Sequence, residues 1–86
     1  MQMKNKVLVE LIVPETESVY NIYLPINKRI GNIIILLNKT VSDLTNGCFV
    51  GSNYTSLYNK DTNVKYNPSD LLYNTDIRNG ASLILL

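Results

Sequence analysis

The side chains that could do chemistry in this chain are few, and their spacing argues against most reactions. Histidine is absent, so the usual general base near neutral pH, and the usual activator of a serine or cysteine nucleophile, is missing. The single Cys48 has no histidine to activate it, cannot form an internal disulfide and cannot anchor a multi-cysteine zinc or iron–sulfur site. It reads as a small apolar filler or an ordinary thiol, and a reducing interior is the natural compartment. Glu15 and Glu17 share one turn and are expected to be solvated. Asp70 and Asp76 sit in turn sequences where a carboxylate commonly caps backbone amides. The loop "TNGCFVGSNY" has two glycines but lacks the Lys and Ser/Thr pair of a phosphate loop. No catalytic, cofactor-binding or metal-binding residue is expected, and the chain reads as a binder rather than an enzyme.

Eight basic residues against seven acidic ones are spread along the whole chain, which argues against nucleic acid as the main partner. Lys4 and Lys6 could meet anionic lipid, but two charges contribute only about 2 kcal/mol. The longest uncharged apolar run, "IGNIIILL", is far short of the roughly 20 residues needed to span a bilayer. In "MQMKNKVLVELIVPE", Glu10 interrupts the apolar stretch and no small-residue cleavage site follows, so it reads as mature protein in the cytoplasm. At 86 residues, 45% of them hydrophobic, the chain has material for one domain over 1–86 with one core. Twelve asparagines beside many isoleucines are the composition of an AT-rich genome.

Stepping along the chain, "KVLVELIV" over Lys6–Val13 has strand composition. "VYNIYL" then alternates with Tyr20, Ile22 and Leu24 on one face and Val19, Asn21 and Tyr23 on the other. The two form a hairpin with a loop of about five residues, and Pro25 breaks the second strand. Ile30, Ile33, Ile34, Leu37, Val41 and Leu44 then recur with helical spacing, predicting one helix from about Ile30 to Leu44 that stops at Asn46-Gly47. Arg29 stands where a capping side chain is expected. Phe49 or Val50 is expected to dip back into the core. Short strands follow near Leu57 and at Val64–Tyr66, with turns at 60–63 and 67–70, and Asn79-Gly80 introduces a last strand in "ASLILL". The fold class is α+β, a mixed sheet of four to five strands on one main helix.

That order, with "IGNIIILL" at the helix start, "SLYNKDTNV" at the third strand and "PSDLLYNTDIRNGASLILL" leading into the last, resembles the ubiquitin-like β-grasp fold over nearly the whole chain. Conjugated and sulfur-carrying members of that fold need a flexible tail ending in Gly-Gly. Here Leu83 to Leu86 finish a strand, so neither conjugation nor sulfur transfer is expected unless the chain is truncated. The size and the ending "NGASLILL" are similar to the YukD-like group associated with type VII (WXG100) secretion systems of low-GC Gram-positive bacteria. The resemblance implies a cytoplasmic accessory or regulator, peripheral to the membrane complex, whose partners are the secretion ATPase or membrane subunits. The same fold occurs as a domain of larger membrane subunits, and the chain could be such a fragment.

In ubiquitin, partners bind an apolar patch on the open face of the sheet. Matched residue by residue, the resemblance places Tyr58 and Leu86 on that patch with Ile84 beside them, while Leu57, Leu83 and Leu85 face inward. Ile35 and Leu36 lie on the helix flanks, where ubiquitin carries polar residues. They either widen the buried face or form a second contact surface, and burial against the loop after the helix is expected because single flank residues are often covered. The outward last strand with apolar ends could also pair with itself in a homodimer.

Overall fold

The computed structural model describes residues 5–86; Lys4, named above for lipid contact, lies outside the described residues. Strand β1 spans Lys6–Val13, where β-branched and leucine side chains alternate with the pleat, so that Val7, Val9, Leu11 and Val13 are buried. It pairs antiparallel with β2, Ser18–Pro25, from Lys6 opposite Pro25 to Val13 opposite Ser18. The connection is residues 14–17, one shorter than expected, because Ser18 already pairs with Val13. Pro14 opens a 3-10 turn, and Glu17 closes it at a φ of 52° with its amide donating to the Pro14 carbonyl at 3.1 Å. Pro25 is the last residue of β2 rather than the first beyond it. It sits on a sheet edge, where a missing N–H costs little.

Helix α1 covers Ile30–Leu44 as the periodicity requires, burying Ile30, Ile33, Ile34, Leu37 and Val41. Arg29 makes no side-chain cap. The first amides find partners elsewhere: Ile30 donates to the Asp70 carbonyl at 2.8 Å and Gly31 to the Pro68 carbonyl at 2.9 Å. This contact explains Gly31, since a Cβ there would come within 3.3 Å of Pro68. The helix ends where Asn46 and Gly47 take φ values of 54° and 83°, with the Gly47 amide donating back to Ser42 at 2.8 Å.

Leu44 keeps the phase of the apolar stripe but is 55% exposed, contrary to its expected place in the core. The chain reverses just beyond it and brings Phe49 inward instead, held by its amide donating to Thr45 Oγ1 at 3.0 Å, while Val50 stays exposed. Strand β3 is only Leu57–Asn59. The expected strand at Val64–Tyr66 is reduced to one bridge, Tyr58 with Lys65. Its physical basis is the shortness of β3: two backbone bonds, Asn59 N–H to Val64 and Tyr66 N–H to Leu57, both 2.9 Å, exhaust the pairing. A second 3-10 turn, Leu72–Asn74, buries Leu72, and β4, Ser82–Leu85, closes the fold with Leu83 and Leu85 inward.

The sheet order is β2-β1-β4-β3, with β4 parallel to β1 and antiparallel to β3. Four strands on one helix make the mixed sheet of a β-grasp fold. Because β4 is paired along both sides, it offers no free edge, and the self-pairing of the last strand considered above is ruled out.

Candidate interaction face

One face of the sheet is covered by α1; the other is open, and strand alternation decides which side chains stand on it. On β1 these are Lys6, Leu8, Glu10 and Ile12, on β2 Val19, Asn21 and Tyr23, on β4 Ser82 and Ile84, and on β3 Tyr58. The register lines up Val19, Ile12, Ile84 and Tyr58 side by side across all four strands, one residue per strand. The bridge from Tyr58 adds Lys65 at the end of this row. Val19 is 59% exposed, while Ile12, Ile84 and Tyr58 are half-buried by their neighbours. The next row is polar: Glu10 lies between Asn21 and Ser82, and Ser82 Oγ donates to Glu10 Oε1 at 3.2 Å. Leu8 and Tyr23 form a second apolar pair beyond it.

Tyr58 and Ile84, expected to share a patch, are directly opposed. Leu86 continues the phase of β4 and stands diagonally from Tyr58, within reach of an aromatic ring. Its backbone pairs with Ser56 through bonds of 2.8 and 3.0 Å, and it is 62% exposed. Sequence reasoning missed Ile12 and Val19. The signal was present, since Val7, Val9, Leu11 and Val13 of "KVLVELIV" face the core and leave Ile12 outside, but the partner of Ile12 depends on the hairpin register.

The helix-flank residues do not form one surface, and their expected burial is not observed. Ile35 is 69% exposed and Leu36 50%. Ile35 borders a groove with Gly31, Asn38, Gly51 and Pro68, whereas Leu36 lies on the opposite flank beside Pro25, Lys28 and Asn32. The loop after α1 touches the helix at Asn38 rather than covering Ile35. Gly51 packs so closely that a Cβ there would be 2.3 Å from Asn38 Cγ, and Asn38 Oδ1 is buried without a hydrogen-bond partner.

The carboxylates play structural parts that differ from those expected. Glu15 is not simply solvated, because its Oε2 accepts the Val50 amide at 3.0 Å and ties the hairpin loop to the loop after the helix. The turn at 67–70 is capped by Asn67, whose Oδ1 accepts the Ser69 amide at 2.9 Å, and not by Asp70. Asp76 caps no amide either. Its two oxygens accept the Tyr66 hydroxyl at 2.6 Å and Asn59 Nδ2 at 3.3 Å. Burial first, and then this bond to Asp76, push the Tyr66 phenol far above its usual pKa. Cys48 is exposed. Among the described residues no three His, Cys, Asp or Glu side chains converge as a metal site would require, and no helix is long and apolar enough to cross a membrane.

No protein-family model matches the chain, and no curated protein matches it in sequence. Solved structures do match it. The ubiquitin-like domain of the Mycobacterium tuberculosis type VII secretion protein EccD1 superposes with a TM-score of 0.75 at 11% identity, over 94% of this chain and 97% of that one. The EccD5 ubiquitin-like domain from Mycobacterium xenopi gives 0.71 at 17% identity, covering 94% of each. A chain of the ESX-5 inner membrane complex gives 0.69 at 15% identity over 95% of this chain, which spans only 21% of that larger one. An archaeal ubiquitin from Caldiarchaeum subterraneum also shares the shape, so these likenesses speak for architecture. With its strand order and single helix, the chain has the ubiquitin-like β-grasp fold.

Proposed function

We propose that this domain is a non-catalytic protein-binding module of a type VII secretion system, docking on another component of the machine through the open face of its sheet. The observation that carries the reading is the apolar row from Val19 through Ile12 and Ile84 to Tyr58, with Leu86 beside it. Contiguous exposed apolar surface marks a contact site. The row is built on paired strands, so little ordering entropy opposes binding, and Tyr58 supplies the kind of large amphipathic side chain that anchors interfaces. Its likeness to ubiquitin-like domains of EccD proteins supports the secretion context. On this reading its partners are membrane subunits or the secretion ATPase.

The test is capture of partners from the native host by tagged protein, comparing the natural chain with Tyr58→Asp. Tyr58 closes the row on β3, beside Leu86, and a charge placed there must be desolvated on docking, so the folded variant should lose the partner. Undiminished capture by a folded Tyr58→Asp protein would reject the face. A second reading, that this is one domain of a larger membrane subunit, is favoured by the ESX-5 chain of which it spans about a fifth. A longer native reading frame would decide for it. Intact mass of the recovered bait distinguishes both from a carrier or modifier, which would show covalent adducts.

A further inference from the structure

The two edges of the sheet differ. The outer side of β3 is occupied, because Val64 and Tyr66 bond to it. Among the described residues, none occupies the outer side of β2. On β1, Leu8 and Glu10 direct their backbone groups toward the segment 79–81: Asn79 Oδ1 accepts the Leu8 amide, the Leu8 carbonyl accepts the Gly80 amide, and the Glu10 amide donates to Ala81. Even-numbered residues of β1 therefore serve β4 and odd-numbered ones serve β2. Their partners Ser18, Tyr20, Ile22 and Leu24 point back at β1. This leaves the amides and carbonyls of Val19, Asn21 and Tyr23 pointing outward, and no backbone or side-chain group among the described residues bonds to them.

An open edge is normally blunted by a charge, a bulge or a proline. Ser18–Pro25 contains no charged residue, and its one proline stands at the far end, past the three residues whose groups point outward. The sequence of this edge is also self-complementary. If two copies align antiparallel with Asn21 facing Asn21 on the two-fold axis, Val19 of each copy meets Tyr23 of the other. These are the residues whose free groups point outward, so all three positions exchange hydrogen bonds, and no free group is left over. On the core-facing side the same register sets Tyr20 against Ile22 of the second copy. Aromatic side chains opposite β-branched ones are favourable cross-strand pairs, and here they fall on both faces at once.

We infer that β2 pairs with β2 of a second copy, centred on Asn21, to give a continuous eight-stranded sheet. The consequence on the open face is that Tyr23 of the second copy extends the apolar row beyond Val19, and Leu8 of the second copy extends it once more. Two such rows cross the dimer. The inference is independent of which protein the open face binds. A second copy is the occupant because the register is specified by this chain's own residues; an unrelated extended peptide would find no charge and no side-chain pocket here to select it.

Strand-edge interfaces are small and hence weak, so sedimentation over a concentration series up to about 1 mM should show a monomer–dimer equilibrium. Asn21 is exposed and can be replaced without touching the core. Asn21→Lys and Asn21→Glu each place like charges on the axis and should weaken dimerisation at least tenfold, whereas their equimolar mixture should restore a one-to-one dimer. Hydrogen exchange on the natural protein gives a check that needs no variant, since amides of Val19, Asn21 and Tyr23 should become protected as concentration rises. A monomer throughout the series overturns the inference. So does a dimer indifferent to Asn21→Lys, or one whose two charge variants fail to rescue each other.

Discussion

Replacing Tyr66 by Phe removes a single oxygen from the fold and tests how the segment before β4 is fastened. The Tyr66 ring is buried at the margin of the core, while its hydroxyl donates to Asp76 at 2.6 Å, and Asp76 also accepts Asn59 Nδ2 at 3.3 Å. One side chain thereby ties the 64–66 segment to the approach to β4 and, through Asn59, to β3. A hydrogen bond to a charged acceptor contributes about 1.5–3 kcal/mol, but Asp76 is exposed and water will satisfy its freed lone pair, so the lower end applies. Phe fills the same ring volume and creates no cavity. The expected cost is therefore about 1.5 kcal/mol, which for a domain of this size lowers Tm by roughly 6–12 °C. Urea unfolding followed by circular dichroism at pH 7 measures it.

The same substitution fixes a pH signature. Burial and the Asp76 bond hold the phenol neutral in the folded state far above its usual value, whereas the unfolded phenol ionises near about pH 10. Between those two pKa values the folded state binds more protons than the unfolded one, so the contribution is complete below about pH 10 and is lost as pH rises further. The gap between natural protein and Tyr66→Phe should narrow above about pH 10, the other tyrosines cancelling in the comparison. A variant within about 0.3 kcal/mol of the natural protein at pH 7, or a gap that widens in alkali, would refute the reasoning.

Other substitutions probe the helix and its loop. Gly51→Ala must displace Asn38 and should cost about 1–3 kcal/mol by overpacking, but under about 0.5 kcal/mol when Asn38 is already Ala, a coupling that a double-mutant cycle reads directly. Asn38→Ala alone should be nearly neutral, because the lost bond from Nδ2 to the Ser52 carbonyl is long, at 3.4 Å, and the unpartnered Oδ1 goes with it. Leu37→Ala should cost about 2–5 kcal/mol, while Leu44→Ala, at the exposed last residue of the helix, should cost less than about 1 kcal/mol in the same unfolding assay.

Much of the architecture was legible because local chemistry and burial agree. The alternation of "KVLVELIV" and "VYNIYL" can be satisfied only by strands with one face inside, and the stripe from Ile30 to Val41 only by a helix. Asn46-Gly47 and Asn79-Gly80 mark reversals because both glycines adopt positive φ, at 83° and 88°. The errors have local causes as well. Leu44 has the right phase but the wrong place, since periodicity reports direction around the helix axis and not whether anything lies beyond the last turn. Val64–Tyr66 has strand composition, yet a three-residue neighbour cannot support a ladder. Arg29 looked like a missing cap because the acceptors for the first helical amides lie some forty positions away, in the turn at 67–70.

The amino-acid sequence by itself determined the main strands and the helix, their order and most of the inward set of each, because those follow from side-chain volume, branching and period along the chain. It also set the scarcity of reactive groups, with no histidine and one cysteine. Only the tertiary structure decided which strands are neighbours. Placing β4 between β1 and β3 aligns Ile12 with Ile84 and Tyr58 into one row, although they are 72 and 46 positions apart in the chain from Ile12. The same placement leaves β2 as the open edge. Pairing of this kind is a property of register between distant segments, fixed by how the whole core closes, and no local pattern encodes it.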